Sequence, residues 1–289
     1  MHVPVLLKEV IEALDPKKGE TMIDGTAGSG GHSSEILKLI GKTGKLLLVD
    51  YDEENVKNLK DEFKSDKNVI CVNGNYSSLK NIMKENNFPK ADGLLLDLGF
   101  SSEQLEKRGR GFSFQKDEPL LMTYNDNLES LRDFLKYATK EELTEIIRKY
   151  GEERYTRRIA EAIYKDRKNI ETSKQLANIV SAAVPGKYEK GRIHPATRTF
   201  QAFRIFINKE LENIEKIIDS IDKVLSPCGR VVIISFHSLE DRIVKLKFRE
   251  LYKKGRLNLL TKKPIIATKE ETINNPRSRS AKLRAAILK

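Results

Sequence analysis

The chain has 289 residues, 33% of them charged, and carries a formal net charge of +11. That length allows one large core, or a core with a substantial insertion, and the only two cysteines, Cys71 and Cys228, stand far apart beside apolar runs, which argues against a disulfide framework and for a reducing cytoplasm. No apolar stretch reaches the length of a membrane span and the N-terminus lacks the basic-then-apolar layout of a signal peptide, so no membrane association and a cytoplasmic location are expected.

Apolar runs alternate with amphipathic stretches, which predicts a β/α series. Strands are expected at Thr21–Asp24, Lys45–Asp50, 68–72 and 93–97, with helices at 33–40, 53–63 and 77–86 between them. The order breaks after Asp97. From about 104 to 203 there is no strand signal but several helical stretches, at 128–137, 140–150, 153–166 and Ser173–Ala183. A long helix is expected from Pro195, capped by His194 or the residue before it, to about Val224. A strand returns at 230–235, a helix follows at 239–252, and a last apolar run at 283–288 fits a strand that closes the sheet. The expected fold is α/β: a doubly wound, Rossmann-like domain from 1–104 and 204–289, interrupted by a helical insertion at 105–203 for substrate recognition.

The run Asp24-Gly-Thr-Ala-Gly-Ser-Gly-Gly-His32 leaves the first strand and enters the first of these helices. Eighteen residues later the second strand ends in Asp50. Strand, glycine loop, helix, strand and acid make the first half of a nucleotide-binding unit, with Asp50 able to accept from both ribose hydroxyls. A dinucleotide fingerprint would need glycine at Ser33, and a P-loop would need lysine at Gly31. S-adenosylmethionine has no phosphate, and its usual acid-x-Gly-x-Gly-x-Gly loop is matched with only the first glycine replaced, by Thr26.

Ligands of open α/β sheets sit at the carboxyl ends of the strands. Asp24, Asp50, Asp97 and Ser235 stand there. Asp97, Ser101 and Ser102 are candidate acceptors for the N–H groups of an exocyclic base amine, although serines also serve as plain turn residues. Arg198, Gln201, Arg204 and Asn208 recur every three or four residues as one polar stripe, with Phe200, Phe203, Ile207 and Leu211 on another face. Two arginines with amides between them suit phosphates or base edges, and a solvated face is the alternative. His237 falls at a strand's carboxyl end, with Ser238 as the expected N-cap of the next helix; it is a catalytic candidate or a structural histidine. From Asp241 to Lys289 there are 15 Lys/Arg against 4 Asp/Glu, the whole positive excess. Within that tail Arg277, Arg279, Lys282 and Arg284 form a basic arm suited to RNA phosphates. The four histidines are too scattered to argue for a metal, and none is expected.

Together these segments resemble the bacterial family of small-subunit ribosomal RNA cytosine-N4 methyltransferases, RsmH or MraW. The likeness spans nearly the whole chain: His2–Val10, Asp24–His32, Gly74-Asn-Tyr76, Asp97–Ser102, Arg108–Phe114, Tyr150-Gly-Glu-Glu-Arg154, His194–Asn208, Ile234–Lys245 and Asn275–Arg284. The resemblance implies a class I methyltransferase domain with a helical insertion. It implies S-adenosylmethionine as cofactor, contacted by Gly30, Gly31, His32, Asp50, Tyr76, Asp97 and Gln104. The implied reaction is methylation of N4 of a cytidine in the decoding region of 16S rRNA, on the assembled small subunit. One segment departs: the family usually reads Pro-Leu-Asp-Met-Arg-Met-Asp, and here Leu121, Thr123 and Asn125 replace two acids and a base. Losing both signs together suggests a replaced ion-pair network, and it leaves substrate-pocket geometry open. A catalytically weak ribosome-binding assembly factor is the alternative reading; a nicotinamide-dependent oxidoreductase is disfavoured by Ser33.

Overall fold

The structure is a computed structural model that describes residues 4–98, 109–125, 127–191 and 193–289. The chain divides into two compact units, one from 1–99 and 211–289, the other from 100–210. In the first unit α1 (Leu7–Leu14) leads into the expected alternation. This runs β1 (Thr21–Asp24), α2 (Gly31–Ile40), β2 (Lys45–Asp50), α3 (Glu53–Glu62), β3 (Val69–Asn73), α4 (Leu79–Glu85) and β4 (Ala91–Asp97). With β5 (Leu225–Ser235) these strands are parallel. β6 (Leu257–Leu259) and β7 (Ile265–Ile266) each pair antiparallel with β8 (Lys282–Leu288), which itself lies antiparallel beside β5. The order is β3-β2-β1-β4-β5-β8-β6. The mixed α/β, Rossmann-like class read from the sequence is the fold observed.

The helical unit holds α5 (Leu131–Tyr137), α6 (Lys140–Gly151), α7 (Thr156–Asp166), α8 (Ser173–Ala183) and α9 (Thr197–Asn208). Capping boxes start α6 (Thr139 with Glu142) and α8 (Thr172 with Gln175), each satisfying orphan N–H groups of the first turn. The long helix expected from Pro195 is broken. Lys209 takes a left-handed φ of 52° and ends α9, so α10 (Glu210–Asp219) and α11 (Ile221–Val224) are separate. Asn208 makes the break tolerable: its amide donates to Arg204 O at 2.8 Å and to Met122 O at 2.8 Å.

Alternation along the strands sends side chains to opposite faces of the sheet. Leu46, Leu48, Met22, Leu95 and Val232 join α1, α2 and α3 in one core, through Val10, Leu14, Ile36, Ile40 and Leu59. Leu47, Val49, Ile23, Leu94, Leu96 and Ile233 pack with α4, α10 and α11 in the other. The helix α12 (Ser238–Lys253) adds Val244, Phe248 and Leu251 to that second core. Each such side chain, withdrawn fully from water, contributes about 1.5–3 kcal/mol before entropy is counted. A short α13 (Lys269–Asn274) precedes β8.

Candidate active site

β1 has β2 on one side and β4 on the other, so the winding reverses there and a crevice opens at the carboxyl ends of β1 and β4. The glycine loop occupies that place. Gly25 N–H donates to Leu95 O at 2.9 Å and Ala27 N–H to Val49 O at 3.0 Å, tying the loop to β4 and β2. Gly30 has φ +79°, the left-handed geometry glycine adopts without strain, and it is the N-cap of α2 with no side-chain cap. The first-turn N–H groups of α2 therefore face the crevice without a side-chain acceptor, which suits an anionic ligand group.

Two buried carboxylates shape the loop. Asp50, 8% exposed, accepts Gly28 N–H at 2.8 Å on one oxygen, and Asp52 N–H at 2.9 Å and Asn55 Nδ2 at 3.1 Å on the other. It stands where the ribose acceptor is expected, yet its first engagement is with the chain itself. Asp24 accepts Ser33 Oγ–H at 2.6 Å and Thr26 N–H at 3.2 Å. Burial pushes its carboxyl above the ordinary range, opposed by the Ser33 hydrogen bond and the nearby His32.

His32 is buried, with Nε2 at 3.0 Å from Val5 O and Nδ1 at 3.8 Å from a carboxylate oxygen of Asp97. Asp97 N–H donates to Thr26 Oγ1 at 2.6 Å, so β4's last residue is fastened to the glycine loop. Gly31 stands at a close approach: a Cβ there would sit 2.6 Å from Pro4 Cγ. Its missing side chain thus makes room for the N-terminal segment, a partner the spacing of glycines did not disclose. Leu6 N–H extends the same strap by donating to Glu271 Oε1 at 2.7 Å. Tyr76 begins a short turn after β3, and its Cβ would lie 3.2 Å from a Cβ on Gly25. Of the remaining expected site residues, Ser101, Ser102 and Gln104 lie outside the described residues.

Three expectations need correction. His237, not Ser238, is the N-cap of α12: its Nδ1 accepts Glu240 N–H at 3.4 Å, and Glu240 Oε2 takes Phe236 N–H at 2.8 Å. Nδ1 thereby serves a capping box, the structural alternative read from the sequence, while Nε2 lies 3.1 Å from Glu240 Oε1. Arg204, expected to face RNA, makes a two-pronged pair with Glu210 at 2.9 and 3.0 Å, which Tyr124 Oη–H joins at 2.8 Å. Arg284 lies within β8, buried, and pairs with Asp241 at 2.7 Å. The polar stripe on α9 is engaged inside its own unit: Arg198 donates to Glu152 O at 3.2 Å and Gln201 to Tyr150 O at 3.2 Å. Lys282 is 3.6 Å from Asp241, Arg277 is half-buried, and Arg279 is exposed.

The departing segment has its own order. Thr123 is buried, and Arg110 donates to its carbonyl at 3.3 Å. Tyr124 N–H donates to Asn208 Oδ1 at 2.9 Å, and its ring stacks on Phe112 at 5.3 Å. Neutral hydrogen bonds and a tyrosine bonded to Glu210 stand beside the three replaced charges.

A glycine loop with an uncapped helix, set at the switch point of a doubly wound sheet and bordered by Asp50 and Asp97, defines a Rossmann-like enzyme for a nucleoside cofactor. The model of the MraW methylase family matches residues 1–288, and the chain belongs to that family. It is 43% identical over 302 aligned positions to the ribosomal RNA small subunit methyltransferase H of Clostridium botulinum (strain Kyoto), covering 98% of this chain and 97% of the relative. With the enzyme of the same name from Koribacter versatilis it shares 44% identity over 298 positions, covering 100% and 94%. Among solved structures, a SAM-dependent methyltransferase from Aquifex aeolicus aligns with a TM-score of 0.41 at 10% identity, over 98% and 89% of the two chains. The chain is a methyltransferase, and its cofactor is S-adenosylmethionine. The residues present fit that group: uncapped N–H donors of α2 suit the amino-acid carboxylate, and a rigid acidic strand end suits the ribose.

Proposed function

We propose that the chain methylates N4 of a cytidine in the decoding region of 16S rRNA, acting on the assembled small subunit in the cytoplasm. The observation that carries this reading is Asp97. Its carboxylate stands at the carboxyl end of β4 beside the glycine loop, within 3.8 Å of the His32 imidazole. When bound, S-adenosylmethionine supplies an electrophilic methyl on a sulfonium. An exocyclic cytosine amine is conjugated with its ring and nucleophilic only when its lone pair turns out of that conjugation. Asp97 accepts an amine N–H, orients the lone pair along the line of attack, and offers a carboxylate for the departing proton. With the cofactor bound, the nitrogen–carbon bond would form as the sulfur–carbon bond breaks, and Asp97 would take up the amine proton. Asp50 holds Gly28 and supports the ribose, while Gly30 and His32 set the first turn of α2. Tyr76 is proposed to border the adenine.

We assign substrate recognition to the helical unit, with Arg198 there, and Arg277, Arg279 and Lys282 of the first unit, as proposed phosphate contacts. Small subunits purified from cells lacking the gene, incubated with the protein and S-adenosylmethionine and digested to nucleosides, should yield N4-methylated cytidine by mass spectrometry. No methylated cytidine, with cofactor binding intact, would leave the assembly-factor reading in its place.

A further inference from the structure

We propose that the groove between α6 and α7 binds the phosphodiester backbone of single-stranded RNA, with Arg157 and Arg158 as its anchoring cations. This inference rests on the RNA-methylating reading above and adds to it a surface outside the basic arm. The groove encloses about 820 Å³. Several carboxylates lie along it, but three of them have internal partners. Glu145 pairs with Arg148, and Glu161 with Lys140 and Lys165 at 3.3 Å each. Glu153 is buried, accepting Tyr155 N–H at 2.8 Å and the Tyr188 hydroxyl. Arg157 and Arg158 line the same groove, are exposed, and have no ion pair or hydrogen bond among the described residues.

The cations also stand on rigid ground, and that favours a specific surface over a solvated face. Glu153 holds the turn into α7 through Tyr155 N–H and the Tyr188 hydroxyl, and Thr156 Oγ–H donates to Glu153 O at 2.5 Å at the start of α7. Arg154 lies over the Tyr155 ring, 5.5 Å from its centroid. A half-exposed aromatic ring beside guanidinium groups offers an unstacked base a platform, which a duplex would not use. Guanidinium forks with no carboxylate to satisfy them match phosphate oxygens in geometry and charge. Arg204 and Arg284, by contrast, are already held by Glu210 and Asp241.

The test compares the full-length protein with R157Q/R158Q, R157K/R158K and, as a control for charge elsewhere on the unit, K168Q. Binding is measured to undermethylated small subunits and to a single-stranded RNA oligonucleotide across a potassium chloride series. S-adenosylmethionine affinity and thermal midpoint are followed in parallel. The glutamine pair should weaken RNA binding about tenfold and flatten the log–log salt slope by about 1.4, two contacts at roughly 0.7 each. The lysine pair should recover most of the affinity, and K168Q should leave the slope unchanged. Cofactor affinity and midpoint should hold throughout, because neither arginine has a partner to lose. Unchanged affinity and slope in the glutamine pair would overturn the proposal, as would an equal loss in K168Q. Failure of the wild-type protein to methylate 16S rRNA would instead sink the functional reading, whereas the oligonucleotide series still judges the groove by itself.

Discussion

Around the glycine loop, Asp24 and Asp50 accept N–H groups from the loop and its neighbours while the first turn of α2 has no side-chain cap. In the helical unit Arg204, Glu210, Tyr124 and Asn208 close upon one another and upon the 122–124 backbone. Both centres use buried polar groups, but the first includes a helix start with no side-chain cap, while the second turns its donors onto its own acceptors. Polar richness alone therefore does not mark a site; the direction in which the donors remain open does.

The sharpest break of that contrast is Asp97→Ala. Losing the acceptor beside the reacting amine should cost about a hundredfold or more in single-turnover methylation at saturating cofactor. A normal rate under those conditions would reduce Asp97 to a cofactor contact. The matching test of the helical unit is Arg204→Ala, which leaves Glu210, 11% exposed at its side chain, without its guanidinium. A loss of about 3 kcal/mol in denaturant unfolding is expected, with the salt dependence of RNA binding unchanged. A flattened salt slope without destabilisation would mean that Arg204 faces RNA after all.

Asp50→Ala removes the acceptor of Gly28, Asp52 and Asn55 in one step. Calorimetry should record at least a tenfold weaker S-adenosylmethionine affinity, about 1.4 kcal/mol, with the fold intact. Unaltered affinity would separate loop shape from cofactor binding. The smallest effect belongs to Asp241. Burial raises its carboxyl pKa, but hydrogen bonding and charge from Arg284, with help from Lys282, more than offset that and hold it below the ordinary range. A carboxyl depressed in the folded state contributes stability above its unfolded pKa and loses it as pH falls through the folded value. Asp241→Asn should therefore lower the thermal midpoint at neutral pH, converge with the wild type in acid, and so flatten the acid side of the profile. An acid limb as steep as that of the wild type would show that other carboxylates dominate it.

Much of the fold is readable because local pattern and global role agree. The apolar runs ending in Asp24, Asp50 and Asp97 announce parallel strands with acids at one end, and Thr139 and Thr172 announce helix starts. What escapes the pattern is long-range pairing. The break at Lys209 carries no glycine or proline, since the Asn208 side chain stabilises it from within. Arg284 reads as a basic arm because its partner Asp241 stands 43 residues earlier. Gly31 reads as a ligand-approach glycine because Pro4, which fills the space, is distant in sequence. His237 reads as a catalytic candidate because it falls at a strand's carboxyl end, where the sequence pattern gives the cap to Ser238.

The insertion of β8 between β5 and β6 has a consequence for the newborn chain. Arg230-Val-Val-Ile-Ile-Ser235 is an apolar, β-branched run with one charge, and among the described residues its outer edge is paired by Lys282–Ile287, from Ser235↔Lys282 to Arg230↔Ile287. During synthesis, roughly fifty residues must follow β5 before that cover exists. Until then the edge is a template for other extended chains, the kind of segment from which cross-β aggregates start. A chaperone that shields such edges would find its critical window between the completion of β5 and the arrival of β8, and variants that weaken β8 should surface first as insolubility rather than as slow enzymes.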